Sequence, residues 1–317
     1  GAGAASRGPD EFARSLVYSH ADAANRQVGR REERAMIRKF QDYNRLLEGE
    51  GHALARSLEE DSHAFFPGAF SAQTIDALRE EISEVFERYP PDQRKNSLDA
   101  ERAAMFRYEM FNRSALCQEV TAHPTILAIV EPLVGDNCHV ISSTAWRNPA
   151  NVEHAPRGQE WHSDAGPHIP RPPGVPWPDA IPYPVFAIAT HVFVEDCGPD
   201  DGPTALVPGS HKSGMPPPKD REWDLTLSHA GRDSVECIAE AGDVAMFVSD
   251  VWHRRMPPTE RCTGRFFLQT NYARRDIAQR VRPTSVVNHT SAEARERART
   301  ERERQLLGLH GEMFYDG

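Results

Sequence analysis

Between residues 71 and 89, apolar side chains recur at Ile75, Leu78, Ile82, Val85 and Phe86. Steps of three and four put them on one stripe of a helix. Ser71 offers a capping hydroxyl before the run, and Pro90-Pro91 stop it. A shorter helical run covers 125–133 and ends at Gly135. Residues 9–60 also carry helical spacing, through Ala35, Ile37, Phe40, Tyr43, Leu46 and Leu47, until the glycines of Glu48-Gly49-Glu50-Gly51 interrupt it. From about 138 the period changes. Short β-type runs appear at 138–144, 185–194, 204–207, 235–238, 244–248 and 265–272, each bounded by Gly, Pro, Asp or Asn. Short strands with turn signals between them predict a sandwich or barrel. The stretch 165–184 is too rich in proline for any regular element, and a loop of that length inside a compact domain is commonly functional or disordered. Residues 290–306, with Arg and Glu interleaved, predict a charged helix with a solvated face.

Composition narrows the class. The chain has 317 residues, 39% hydrophobic, with 14 Phe, 5 Trp and 7 Tyr, enough to build a core. Its longest nearly uninterrupted apolar stretch, 184–194, is far shorter than the ~20 residues of a spanning helix, so no membrane partner is expected. The net charge of −10 argues against nucleic acid. Five cysteines at wide spacing, with no Cys-x-x-Cys pair, argue against a disulfide framework or zinc knuckle. A cytoplasmic setting is the simpler expectation.

With 14 histidines, His-x-acid pairs arise by chance. His20/Asp22 lies in a helical stretch, where i and i+2 diverge, and His310/Glu312 is near the C-terminus. His162/Asp164 sits where the β-like region meets the proline-rich loop. In extended chain both side chains project to one side and reach a common ion. His253, just after the 244–248 strand, is either a buried structural histidine or a third ligand. Two His and one carboxylate form the facial set of non-haem Fe(II) oxygenases, which leaves metal positions open. Arg265 leads the apolar run Phe266-Phe267-Leu268. An inward Arg there needs an anion, and a dicarboxylate co-substrate would supply one.

The order Trp161-His162-Ser163-Asp164, then Leu206-Val207-Pro208-Gly209-Ser210-His211-Lys212, then Gly242-Asp243-Val244, His253, Arg265 and Tyr272 resembles the phytanoyl-CoA dioxygenase (PhyH) family of Fe(II)- and 2-oxoglutarate-dependent oxygenases. Phe65-Phe66-Pro67-Gly68 before the 71–89 helix is similar to the family's opening segment, and Leu307-Gly308-Leu309-His310 to its closing one. The resemblance covers about 62–315 and divides the chain into an N-terminal helical extension, 1–61, and an oxygenase domain, 62–317, with a lid at 165–184. It implies an α+β fold with a mainly β core, a double-stranded β-helix (jelly roll, cupin-like) with flanking helices.

The resemblance makes His162, Asp164 and His253 the iron ligands. Arg265 becomes the clamp for 2-oxoglutarate, with Arg261 as the alternative, because Arg265 lies 12 residues after His253 and the family more often shows a slightly shorter spacing. Thr190 and His191 stand where the family's strand faces the co-substrate. A carboxylate at 164, where related halogenases carry a small residue, argues for oxygen transfer or desaturation. Arg147 and Asn148, with His168 and Trp177 in the loop, are the candidate substrate contacts. Pro208 to His211 reads as a tight turn, with His211 structural or surface-exposed.

The expected reaction consumes O2 and 2-oxoglutarate and hydroxylates a C–H bond of a small-molecule substrate resembling a secondary metabolite. Desaturation, epoxidation and cyclisation start from the same oxidant. A zinc hydrolase using the same three residues, or a non-enzymatic barrel that binds a small molecule, stays open at this point. The N-terminal extension is expected either to form a homodimer or to cap the pocket.

Overall fold

Two antiparallel sheets carry the chain in the computed structural model, which describes residues 50–91, 104–150, 153, 156–164, 166–278 and 290–310. The larger sheet has six strands. These are β1 (His63–Phe66), β2 (Phe106–Tyr108), β3 (His139–Asn148), β4 (Ala187–Phe193), β9 (Val244–Val248) and β11 (Arg265–Ala273), in the order β1-β9-β4-β11-β3-β2. The smaller sheet joins β10 (His253–Arg255), β5 (Thr204–Leu206) and β8 (Val235–Glu236), and β6 (Ser228–His229) pairs with β7 (Arg232–Asp233) as a separate ribbon. This is the expected jelly-roll core with flanking helices. Most of the predicted 9–60 helix, with His20 and Asp22, lies outside the described residues. Its last part is α1 (Glu50–Asp61), which runs through Gly51 where the glycines were expected to break it, and which buries Leu58 in the core.

Helix α2 (Ala72–Arg88) forms where the apolar stripe predicts it. Ser71 caps it by accepting from the Thr74 N–H at 3.2 Å, and Ile75, Leu78, Ile82 and Val85 are buried. Short helices α3 (Met110–Arg113) and α4 (Ala115–Thr121) lead to α5 (Pro124–Val134), which ends at Gly135. The 290–306 segment departs from expectation. It is two helices, α6 (Ala292–Arg297) and α7 (Glu301–Leu306), divided at Thr300, whose side chain and Glu303 cap each other reciprocally. Nor is it only a solvated face. Ala294, Leu306 and Leu307 are buried, and Arg302 pairs with Glu131 of α5 at 2.6 Å while donating to the Cys138 carbonyl at 2.7 Å.

The six-stranded sheet is buried on both faces, and adjacent residues serve different neighbours. On one face Phe266 meets Phe86 of α2 edge-on at 6.0 Å, and Tyr272 donates to the Thr121 carbonyl at 2.9 Å. On the other, Phe193, Phe247 and Phe267 surround His191 and face the smaller sheet, with Phe247 lying 5.0 Å from the His253 ring. The space between the two sheets holds the site.

Candidate active site

Residues 161–164 run alongside β10, and His162 and His253 exchange main-chain hydrogen bonds. His162 N–H donates to the His253 carbonyl at 2.9 Å, and His253 N–H returns a bond of 2.8 Å. That single rung sets the two imidazoles 4.3 Å apart by ring centroid, and Asp164 brings a carboxylate oxygen to 3.6 Å from His253 Nε2. One ligand atom from each of the three residues lies within 4.8 Å of the others.

In both rings Nδ1 faces a carbonyl two residues earlier. His162 Nδ1 is 2.8 Å from Glu160 O, and His253 Nδ1 is 3.0 Å from Val251 O. Donation from Nδ1 fixes the tautomer that leaves Nε2 with its lone pair. Burial, then the neighbouring His253, brings His162 down to about 4, so it is neutral near pH 7. Two imidazoles and one carboxylate gathered within reach of one ion are a donor set that suits a divalent iron with open coordination positions.

Arg265 begins β11 opposite Asn148 of β3. Its Nε donates to Asn148 Oδ1 at 2.6 Å, and its Nη1 to Thr204 Oγ1 at 3.2 Å. The guanidinium lies over the Phe267 ring at 5.1 Å. Burial, then the positive charge of Arg255, brings it down to about 9, which still leaves it charged at neutral pH. Among the described residues no carboxylate forms an ion pair with it. His191 is buried beside it, its Nδ1 without a hydrogen-bond partner and its ring tilted on Phe267 at 4.4 Å. Burial, then Arg265, lowers His191 to about 3, and His253 and Asp164 also act on it. His191 thus shares the Phe267 ring with the guanidinium and the Phe247 ring with His253.

The neighbours of two of these residues point the other way. Thr190 donates to the Thr270 carbonyl at 3.1 Å from the opposite face of β4, and it does not join the cluster. Arg147 lies on the helix side, over the rings of Phe266 at 5.0 Å and Phe86 at 5.9 Å. Asn148 does face the site, where it holds Arg265. Arg261 is 81% exposed and pairs with Asp200 at 3.0 Å, which removes it as the alternative cation. His211 is buried, with Nε2 2.9 Å from the Glu59 carbonyl, and His310 Nε2 approaches His139 Nδ1 at 3.0 Å, remote from these partners.

The described residues of the proline-rich loop contain no helix or strand. The loop is tied down at one carboxylate. Asp250, in the turn between β9 and β10, accepts from His168 Nδ1, from the His168 main-chain N–H at 3.3 Å and from the Tyr183 hydroxyl at 2.8 Å. His168 stacks on Phe186 at 4.7 Å, and Trp177, half-buried, meets Tyr183 edge-on at 5.0 Å and donates to the Ile181 carbonyl. Neither side chain is presented freely to a substrate. Sequence reasoning missed Asp250 and Tyr183. The signal was a lone carboxylate inside Val248-Ser249-Asp250-Val251-Trp252, because a charge in an apolar run needs partners.

Known proteins resemble this chain in sequence and in fold. The sequence pattern of phytanoyl-CoA dioxygenase (PhyH) matches residues 59–255. The dioxygenase cdmD of Talaromyces verruculosus is 23% identical over 218 residues, 62% of this chain and 65% of that protein, so the match spans a little under two thirds of its length. Among solved structures, the epimerase SnoN in complex with Fe3+, alpha ketoglutarate and nogalamycin RO superposes with a TM-score of 0.53 at 18% identity, covering 71% of this chain and 83% of that one. HygX from Streptomyces hygroscopicus with nickel and 2-oxoglutarate bound gives 0.54 at 15%, covering 77% and 93%. The carbocyclase SnoK from nogalamycin biosynthesis gives 0.51 at 18%, covering 72% and 86%. These structural likenesses bear on the fold, and the family match, which takes in more than half of the sequence, bears on kinship: the chain belongs to the phytanoyl-CoA dioxygenase family of Fe(II)- and 2-oxoglutarate-dependent oxygenases.

Proposed function

We propose that this chain hydroxylates a C–H bond of a small, natural-product-like molecule, with His162, Asp164 and His253 holding Fe(II) and Arg265 holding the distal carboxylate of 2-oxoglutarate. The observation that carries the reading is the pairing of a convergent His-Asp-His group with a buried arginine that has no carboxylate partner among the described residues, in one enclosure. With iron bound, the site couples O2 and 2-oxoglutarate to C–H oxidation. One oxygen atom enters the substrate as a hydroxyl, and the other leaves in succinate as CO2 is released.

The chain's own groups position and enclose. Main-chain bonding between His162 and His253 fixes the ligand spacing before any metal arrives. Asn148 and Thr204 orient the Arg265 fork toward the incoming carboxylate, with bidentate pairing as the expected contact. His191, kept neutral by burial, would offer its unpaired Nδ1 to the co-substrate. The loop pinned at Asp250 limits water at the reacting centre. A natural-product substrate is supported by the similar structures named for nogalamycin chemistry. The carboxylate at position 164, where related halogenases carry a small residue, argues against halogenation and leaves oxygen transfer or desaturation.

Anaerobic addition of Fe(II) and 2-oxoglutarate should produce a weak visible charge-transfer band. Admission of O2 with a substrate from a metabolite panel should then yield succinate and a product heavier by one oxygen atom. Substrate oxidation independent of 2-oxoglutarate, or product formation with zinc alone, would overturn the reading. A product lacking the added oxygen would replace hydroxylation with desaturation, cyclisation or epimerisation.

A further inference from the structure

We propose that Arg255 is a second cation of the co-substrate site, sharing the distal carboxylate of 2-oxoglutarate with Arg265. The inference rests on the co-substrate reading above and extends it to a residue that the His-Asp-His-Arg pattern does not include. Side chains two apart on a strand share a face. His253 and Arg255 therefore share one face of the strand, toward the space between the sheets, while Arg254 is buried on the other face over the rings of Trp161 and Trp223. In the β10–β5 register Arg255 stands opposite Thr204. Thr204 Oγ1 is the hydroxyl that receives Arg265 Nη1 at 3.2 Å, so the two arginines flank one side chain.

Arg255 is 5% exposed. Its guanidinium makes no hydrogen bond, ion pair or ring contact with any described residue, and its Nε is enclosed without an acceptor. Gly202 makes the room. A Cβ there would come 3.1 Å from Arg255 Nε and 2.7 Å from the Met256 carbonyl.

The local charges do not balance without an added anion. Asp201 is the carboxylate in the vicinity, but its Oδ1 takes the Thr263 N–H at 2.6 Å and hydroxyl at 3.0 Å, and its Oδ2 takes the Gly198 N–H at 2.8 Å. Cys197 and Cys237 are buried thiols and carry no charge. Two guanidinium groups against one carboxylate leave a net positive charge in a desolvated place, an arrangement that is costly until an anion enters. A terminal carboxylate has two oxygens and neutralises the remainder.

The test uses full-length protein loaded with Ni(II) and titrated calorimetrically. The titrants are 2-oxoglutarate and 2-oxobutyrate, which keeps the chelating 2-oxo acid but lacks the distal carboxylate. For Arg255→Gln, 2-oxoglutarate affinity should fall about 10- to 100-fold while 2-oxobutyrate affinity changes less than about 2-fold, the loss expected of a hydrogen bond to a charged group. Arg255→Lys should recover part of the loss, since it restores the charge without the fork. An unchanged 2-oxoglutarate affinity overturns the proposal. So does an equal loss for both acids, which marks a structural role. Thermal midpoints of both variants identify any that fail to fold. Failure of the wild-type protein to bind 2-oxoglutarate would instead sink the co-substrate reading, and this inference with it.

Discussion

Removing one hydroxyl should loosen the proline-rich loop. Tyr183 donates to Asp250 Oδ2 at 2.8 Å in a buried position, and Tyr183→Phe deletes that bond while keeping the ring against His211 and Trp177. A hydrogen bond to a charged group contributes about 1.5–3 kcal/mol, so the open form of the loop should gain about 10- to 100-fold in population. His168 continues to hold Asp250, and the loop stays mostly closed. Amide hydrogen exchange reads the change directly. The His168 N–H, bonded to Asp250, and the Arg171 N–H, bonded to Gly214 O at 3.0 Å, should exchange about 10- to 100-fold faster, while amides of β4 and β11 hold their rates. The opened loop should also raise succinate formed per product, because water reaches the reacting centre. Unchanged exchange at 168 and 171, or a uniform rise that includes β4 and β11, would refute the reasoning. The latch has a pH signature as well. Burial raises the Asp250 carboxyl, but the hydrogen bond and charge of His168 and the Tyr183 hydroxyl outweigh it and hold the group below its ordinary value. The stabilisation is therefore present above the ordinary carboxylate range and is lost as pH falls through the lowered value, so protection of the loop amides, taken relative to their intrinsic exchange rate, should fall in acid.

His162→Ala should abolish iron-dependent turnover of 2-oxoglutarate, and retained succinate formation would exclude His162 as a ligand. Asn148→Ala should weaken 2-oxoglutarate binding about 10-fold by releasing Arg265, whereas Arg147→Ala should leave that binding unchanged and cost about 1 kcal/mol of stability in a urea melt, the contribution of a cation over aromatic rings; reversed effects would mean the two faces of β3 have been misassigned. Glu131→Ala should destabilise by about 3 kcal/mol, because Arg302 would keep its charge in a mostly buried place, and a loss under 1 kcal/mol by denaturant unfolding would show the pair to be solvent-screened.

The strands of the core were legible where β-type runs were bounded by turn residues, and β9 falls at 244–248 as expected. Which of two adjacent residues faces the site was not. In β4 every residue is buried, so no polar–apolar alternation marks a face, and Thr190 and His191 looked equivalent until the register separated them. Arg147 and Asn148 posed the same ambiguity at the end of β3. Strands β1 and β2 span only four and three residues, too short for a period to emerge. The break at Thr300 could have been read, since Thr300-Glu301-Arg302-Glu303 carries a capping-box signature, but the run of charges around it suggested one continuous helix. The convergence of His253 with His162 and Asp164 depended on pairing between segments far apart in the chain, and no local pattern encodes that distance.

The rung between His162 and His253 is made of peptide groups, and peptide groups are the same whatever side chain they carry. The spot where those two residues aim is therefore a property of the scaffold and not of histidine. Exchanging either imidazole for a thiol or a carboxylate would refit the socket for a different ion without asking the protein to refold, and stripping the ion with a chelator should leave the fold in place while lowering the melting temperature only by what the ion's own binding contributes.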